Sequence, residues 1–263
     1  MELGLGGKVA LVAASSRGLG YAIANELAAE GAAVVMCARD EGRLAEAARA
    51  IASATGAKVV PVAADVAKPA EVRNLVGRAL EAFGRVDVLV TNSGGPPPGT
   101  FESTPPEAWQ SAVDILLTSA VELIRAVLPG MKQRRFGRIL NVTSITVKQP
   151  IDNLILSNAL RAAVTGMART LASEVAAFGI TVNNLMPGYT RTERLSELAT
   201  AAAGRTGGAP ADFYARLERE IPARRLGEPR ELAALCAFLA SERASYVTGQ
   251  SIAVDGGWIR GLF

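Results

Sequence analysis

Seven short runs rich in apolar residues, the first of them without polar alternation, separated by stretches of helical period, leave this chain few folds to adopt. The runs are residues 9–13, 33–38, 58–64, 86–91, 138–143, 181–185 and 251–254. A strand that is apolar on both sides is covered on both faces, as in a parallel sheet packed between helices. The intervening stretches supply those helices. Residues 18–30 carry Ile23 and Leu27 on one face and stop at Gly31. Asp40 caps a helix with Leu44, Ala47, Ala48 and Ile51 inward, and Pro69 opens another with Val72, Leu75, Val76, Ala79, Leu80 and Phe83 inward. A long helix is expected over 106–134, bent at Pro129. A second runs over 154–178 with Leu160, Val164, Met167, Leu171 and Val175 on its core stripe. Residues 191–226 read as irregular helix, and 229–240 as the last one. Repeated β-α units with right-handed crossovers predict a doubly wound parallel sheet of about seven strands with helices on both faces. No linker interrupts the pattern, so residues 1–263 are expected to form one domain.

Composition narrows the function classes. Hydrophobic residues make up 49% and charged residues 20%, which fits a globular protein. The net charge of +3 is spread along the chain, and the one basic cluster, Lys132, Arg134, Arg135 and Arg138, reads as a solvated helix end. Neither nucleic acid nor membrane is an expected partner, since no segment reaches the ~20 apolar residues of a span. The apolar run after Lys8 is too short for a signal peptide. Cys37 and Cys236 stand alone and are expected in the core of a cytoplasmic protein. There is no histidine. That excludes a Ser-His-Asp triad, a Cys-His dyad and His-ligated metal, and no metal is expected.

The first turn reads Ala14-Ser15-Ser16-Arg17-Gly18-Leu19-Gly20. A glycine-rich turn between the first strand and the first helix lets backbone N–H groups approach a pyrophosphate, and it points to a Rossmann-type dinucleotide site. Further along stand Asp65-Val66, Thr91-Asn92-Ser93-Gly94, the strand 137–144 ending in Ser144, Pro187-Gly188 with Thr192, Tyr246-Val247-Thr248-Gly249-Gln250, and Asp255-Gly256-Gly257. In this order and at these intervals the chain resembles the short-chain dehydrogenase/reductase family, and within it the 3-oxoacyl-acyl-carrier-protein reductases. Gly18 and Gly20 match the last two glycines of the family's turn, while Ala14 stands where the first would be.

The resemblance implies hydride transfer between a nicotinamide and a small carbonyl or alcohol. It implies cofactor contacts from Ala14, Ser16, Arg17, Gly18, Leu19, Gly20, Asp65, Val66, Asn92, Gly94, Arg161, Pro187, Gly188 and Thr192. The second strand ends in Ala38-Arg39 rather than in an acid for a ribose 2′-OH. Arg39 and Arg17 therefore favour the phosphate of NADP(H), with NAD(H) possible.

The family's proton chemistry uses a serine, a tyrosine, a lysine four residues later, and an asparagine. Ser144 matches the serine. Counting onward, the tyrosine and lysine positions hold Ser157 and Arg161. Trp109 and Asp114 place the asparagine position at Leu116. Arginine keeps a positive charge but does not relay protons, and a serine hydroxyl is far less acidic than a phenol. Tyr189 is a candidate substitute donor; the other reading is a tyrosine packing the pocket. Lys148 and Asp152 read as loop residues at the cleft mouth. Residues 191–226 are expected to cover the substrate, with Leu195, Leu198, Phe213, Tyr214 and Leu217 either lining it or packing among themselves. Two functions remain open: an NADP(H)-dependent oxidoreductase with a degenerate catalytic motif, or a nucleotide-binding sensor, scaffold or partner subunit with little turnover. Small residues on the long helices, Ala159, Ala162, Ala163 and Ala168, suit close pairing, and a homotetramer is expected.

Overall fold

The computed structural model describes residues 2–262. One sheet of seven parallel strands runs in the order β3-β2-β1-β4-β5-β6-β7. The strands are β1 (Val9–Val12), β2 (Ala33–Ala38), β3 (Val59–Ala63), β4 (Val88–Thr91), β5 (Gly137–Val142), β6 (Ile180–Pro187) and β7 (Ser251–Val254). Strands β1, β4 and β5 are buried at every residue, the polar Arg138 and Asn141 of β5 included. β4 begins two residues later than its apolar run. Just before it stands Asp87, fully buried, whose carboxylate accepts from the Val9 N–H at 3.0 Å and pairs with Arg85 at 2.8 Å.

Helices cover both faces. Against one lie α1 (Gly18–Ala29), α2 (Glu41–Thr55) and α9 (Pro229–Ala240), joined through Ile23, Leu27, Leu44, Ile51, Leu232 and Cys236. Against the other lie α3 (Pro69–Phe83), α5 (Ser119–Arg134) and α6 (Ile155–Val175), joined through Val72, Leu75, Leu123, Met131, Ala168 and Ala172. The expected bend at Pro129 is not where the long helix departs from regularity. Pro129 lies inside α5, and the irregular turn is a wider π turn at Asp114–Thr118, between α4 (Pro106–Val113) and α5. There Ser119 Oγ donates to the Ile115 carbonyl.

Two further expectations are corrected. The core stripe of α6 runs through Leu156, Leu160, Val164, Ala168, Ala172 and Val175, with Met167 and Leu171 only half-buried. The small alanines take the sheet-facing positions, so Ala168 belongs to the core rather than to a pairing surface. The basic cluster is not a solvated helix end either. Arg138 is buried and donates to the carbonyls of Gly179 and Ser241, Arg134 donates to Val86 O, and Lys132 lies over the Phe178 ring. These cations fasten loops at the end of the sheet opposite the glycine turn. Cys37 and Cys236 are core residues, as expected, and burial pushes both thiols up.

The irregular stretch resolves into α7 (Glu193–Thr206) and α8 (Pro210–Glu220). They meet over Leu195, Leu217, Ile221 and Leu226, with Tyr189, Phe213, Tyr214 and Trp258 packed alongside. Among the described residues no helix is long and apolar enough to cross a membrane.

Candidate functional site

In this strand order the chain direction of growth reverses between β1 and β4, and the carboxyl ends of those strands open a crevice at that point. The turn from β1 to α1 forms one wall. Ala14 holds φ +48°, a left-handed conformation costly for any side chain, and Asn92 Nδ2 donates to its carbonyl at 3.1 Å. Gly20 sits against that carbonyl: a Cβ there would lie 2.2 Å from Ala14 O. The turn is therefore as tight as a backbone approach to a ligand demands. Arg17 caps α1 without a side-chain bond, and the first turn of the helix holds no acid. Its leading N–H groups and positive helix end are thus left for an anion. Leu19 packs on the core, and Ser16 is half-buried at the rim.

The rest of the crevice comes from three loops. Asn92 and Gly94 follow β4, and the space around Gly94 is open. Pro187 ends β6, and Gly188 follows with its N–H on Val254 O at 3.0 Å. A Cβ on Gly188 would stand 2.7 Å from the Asp255 backbone, so the Pro187-Gly188 turn packs directly against the start of Asp255-Gly256-Gly257. Thr192 caps α7 through Oγ1, which accepts from the Leu195 N–H, and its methyl faces Gly18. Asp65 Oδ1 accepts from the Ala67 N–H, and Val66 packs on the core, at the outer end of the crevice beyond β2.

At the end of β2 Arg39 is exposed, and the adjacent acid, Asp40, is occupied in capping α2 through the Arg43 N–H. Arg17 is ion-paired with Glu193 of α7, and Arg43 lies 3.8 Å from the same carboxylate. Arg43 is a third cation at this corner that the sequence did not reveal. It becomes visible only when α2 and α7 are brought together.

The floor of the cleft is built around Arg161. Its Nη1 donates to the carbonyls of Val142 and Thr143 at 2.8 and 2.9 Å, and its Nε donates to Ser157 Oγ at 3.2 Å. The pair, one helical turn apart on α6, is thereby pinned against the end of β5, beside Ser144. Burial, with the charge of Arg194 adding, pushes Arg161 down to about 10, still far above neutrality. Ser144 Oγ accepts from the Thr146 N–H at 3.1 Å, which leaves its O–H free to donate. Ser157 Oγ already accepts from Arg161 and is likewise left with a proton to offer. Leu116, in the π turn, packs with Ala112, Leu156 and Leu160 and supplies no polar group here. Lys148 and Asp152 are exposed.

Tyr189 sits elsewhere. Its ring makes an edge contact with Trp258 at 5.5 Å within the apolar cluster of α7 and α8, and burial pushes its hydroxyl up to about 12. That environment fits the packing reading. Leu195 and Leu217 likewise pack against each other rather than standing open.

A ladder of polar side chains, absent from the sequence reading, holds the strands that carry the site. Thr91 Oγ1 donates to Asn141 Oδ1 at 2.7 Å, Asn141 Nδ2 to Asn184 Oδ1 at 3.0 Å, and Asn184 Nδ2 to Ser251 Oγ at 3.0 Å. These four residues are register partners across β4, β5, β6 and β7. Among the described residues there is no cluster of acids, cysteines or histidines able to hold a metal ion.

Comparison with known proteins gives concordant matches. The profile of the family described as enoyl-(acyl carrier protein) reductase matches residues 13–259. The chain is 35% identical to the 3-oxoacyl-(acyl-carrier-protein) reductase FabG of Escherichia coli K12 over 251 residues, covering 95% of this chain and 97% of the relative. Among solved structures, the L-sorbose reductase of Gluconobacter frateurii complexed with NADPH and L-sorbose superposes with a TM-score of 0.95 and 38% identity, over 100% of both chains. An NADPH-bound short-chain oxidoreductase of Pseudomonas aeruginosa PAO1, described as containing an atypical catalytic center, superposes with a TM-score of 0.88 and 33% identity over 97% of both.

Proposed function

Because the chain belongs to the short-chain dehydrogenase/reductase family, we propose that it is an NADP(H)-dependent oxidoreductase whose proton-handling pair has been replaced by Ser157 and Arg161. The residues of the crevice fit the cofactor. The tight turn at Ala14 and Gly20 and the uncapped start of α1 suit a diphosphate, and the corner beyond β2, where Arg39 is exposed, Asp40 is spent on capping α2 and Arg17 and Arg43 gather on Glu193, suits a 2′-phosphate. When bound, the nicotinamide supplies or takes the hydride.

The observation that carries the reading is the Arg161 bond to Ser157, with the guanidinium locked on the carbonyls of Val142 and Thr143. Arg161 fixes a positive charge beside Ser144 and gives no proton of its own at neutral pH. Ser157, polarised by that charge, and Ser144 each offer an O–H to a carbonyl oxygen, so charge developing on that oxygen is stabilised. What is weakened is proton delivery, for which a serine is a poor acid. Leu116 in the family's asparagine position removes an amide that would hold a relay water. The same lock supports a second reading, a dinucleotide-binding protein with little turnover.

Cofactor titration tests the first half of the proposal. NADPH should bind at least about ten-fold more tightly than NADH, and Arg39→Ala should erode that preference. Equal or tighter binding of NADH by the wild type would refute it. Screening aldehydes and ketones for loss of NADPH absorbance then separates the oxidoreductase from the binding protein.

A further inference from the structure

The first turn of α7 bridges the crevice with two consecutive side chains. Glu193 reaches Arg17 on the wall formed by the β1–α1 turn. Arg194 reaches the opposite wall, where Nη2 donates to Pro96 O at 2.7 Å and its Nε lies so close to Gly95 that a Cβ there would be 2.8 Å away. Thr192, one step earlier, rests its methyl against Gly18 at the start of α1. The Arg194 guanidinium is therefore held at the loop after β4, while its neighbours Thr192 and Glu193 meet the start of α1.

Arg194 is only partly countered. Its acid partner is Glu197 at 3.2 Å, on the outer side of α7 and half exposed. Its charge bears on buried Arg161, which has the same sign. Like charges in a partly desolvated cleft repel, and an anion lodged near both relieves that repulsion.

We infer that Arg194 is a cofactor-binding residue whose guanidinium clasps the diphosphate of NADP(H), making the covering helix α7 part of the cofactor site. The inference rests on the NADP(H) reading of the crevice. The position of Arg194 favours the diphosphate over a substrate carboxylate. It is held at Gly95 and Pro96, in the loop after β4 that walls the crevice, on the same helical turn whose Thr192 and Glu193 meet the open end of α1. A guanidinium presents paired donors that match phosphate oxygens. One consequence is that cofactor binding and closure of α7 are coupled, because the residue that grips the anion is also tied to Pro96.

The test is a fluorescence titration of NADPH against wild type, Arg194→Gln and Arg194→Lys. It is run beside competition by adenosine 2′-monophosphate, which has the 2′-phosphate but no diphosphate. Arg194→Gln should weaken NADPH by about ten-fold or more while changing the monophosphate by less than about two-fold. Arg194→Lys should recover part of the loss. Two outcomes overturn the inference: unchanged NADPH affinity in Arg194→Gln, which assigns the charge to a substrate anion where the KM for a carbonyl substrate rises; or equal weakening of both ligands, which marks a merely structural role. A wild type that binds the monophosphate normally but not NADPH also overturns it. A wild type that binds neither overturns the NADP(H) reading itself, and this inference falls with it.

Discussion

A guanidinium gripped by two strand carbonyls behaves differently from a free ammonium. Arg161 keeps its proton until about pH 10, and Ser157, its partner, has no acidity near neutrality. With no histidine in the chain, no side chain placed at the cleft floor changes charge across the neutral range. Cofactor-dependent turnover should therefore be flat from about pH 6 to about pH 9 and fall only as Arg161 deprotonates near the upper end. A rate profile with an inflection in that range would point to another acid or base. At this scale the sequence disclosed the pair, because two residues four apart on a helix must share a face. It did not disclose what Arg161 holds, because Val142 and Thr143 meet it only through packing of α6 on β5. Arg43 and Arg194 escaped notice for the same reason: an arginine on a helix surface acquires meaning only from the loop it lands on.

Strands were legible where apolar residues dominate, and their ends blurred where a buried charge sits in the run. Asp87 is the example: its carboxylate takes the Val9 N–H and its backbone bonds Val9 and Arg138, one residue before β4. The polar ladder Thr91–Asn141–Asn184–Ser251 was invisible for a different reason. Parallel strands are joined by long crossovers, so spacing along the chain does not set which residues become neighbours across the sheet. Asn141 is fully buried at its centre. Asn141→Leu should leave the Thr91 hydroxyl and the Asn184 carbonyl oxygen without partners, costing roughly 2–4 kcal/mol. Denaturant unfolding with an unchanged slope and a lowered midpoint checks this. A loss below about 0.5 kcal/mol would mean that water takes over the broken bonds. The covering segment was read as helical, but its division into α7 and α8, closing on Tyr189 and Trp258, depended on contacts with the far end of the chain.

The whole molecule was the most legible scale, since alternating buried strands and amphipathic helices admit few arrangements. Assembly is less so. Ala159, Ala162 and Ala163 lie exposed on α6, Tyr246 is fully exposed, and every residue of the edge strand β7 is only half-buried. Such faces favour symmetric pairing, and a tetramer is expected; sedimentation at micromolar concentration showing a monomer would contradict it. The central claim, that the molecule holds NADP(H) and a carbonyl but delivers protons poorly, is tested by placing the family's tyrosine and lysine at positions 157 and 161. Turnover of NADPH with a carbonyl panel should be compared in the wild type, Ser157→Tyr, Arg161→Lys and the double variant at saturating cofactor. The double variant should exceed the wild type by about 10²-fold or more, and each single variant should gain far less, because the two groups act as a unit. A wild type that already turns over as fast as the double variant would contradict the claim.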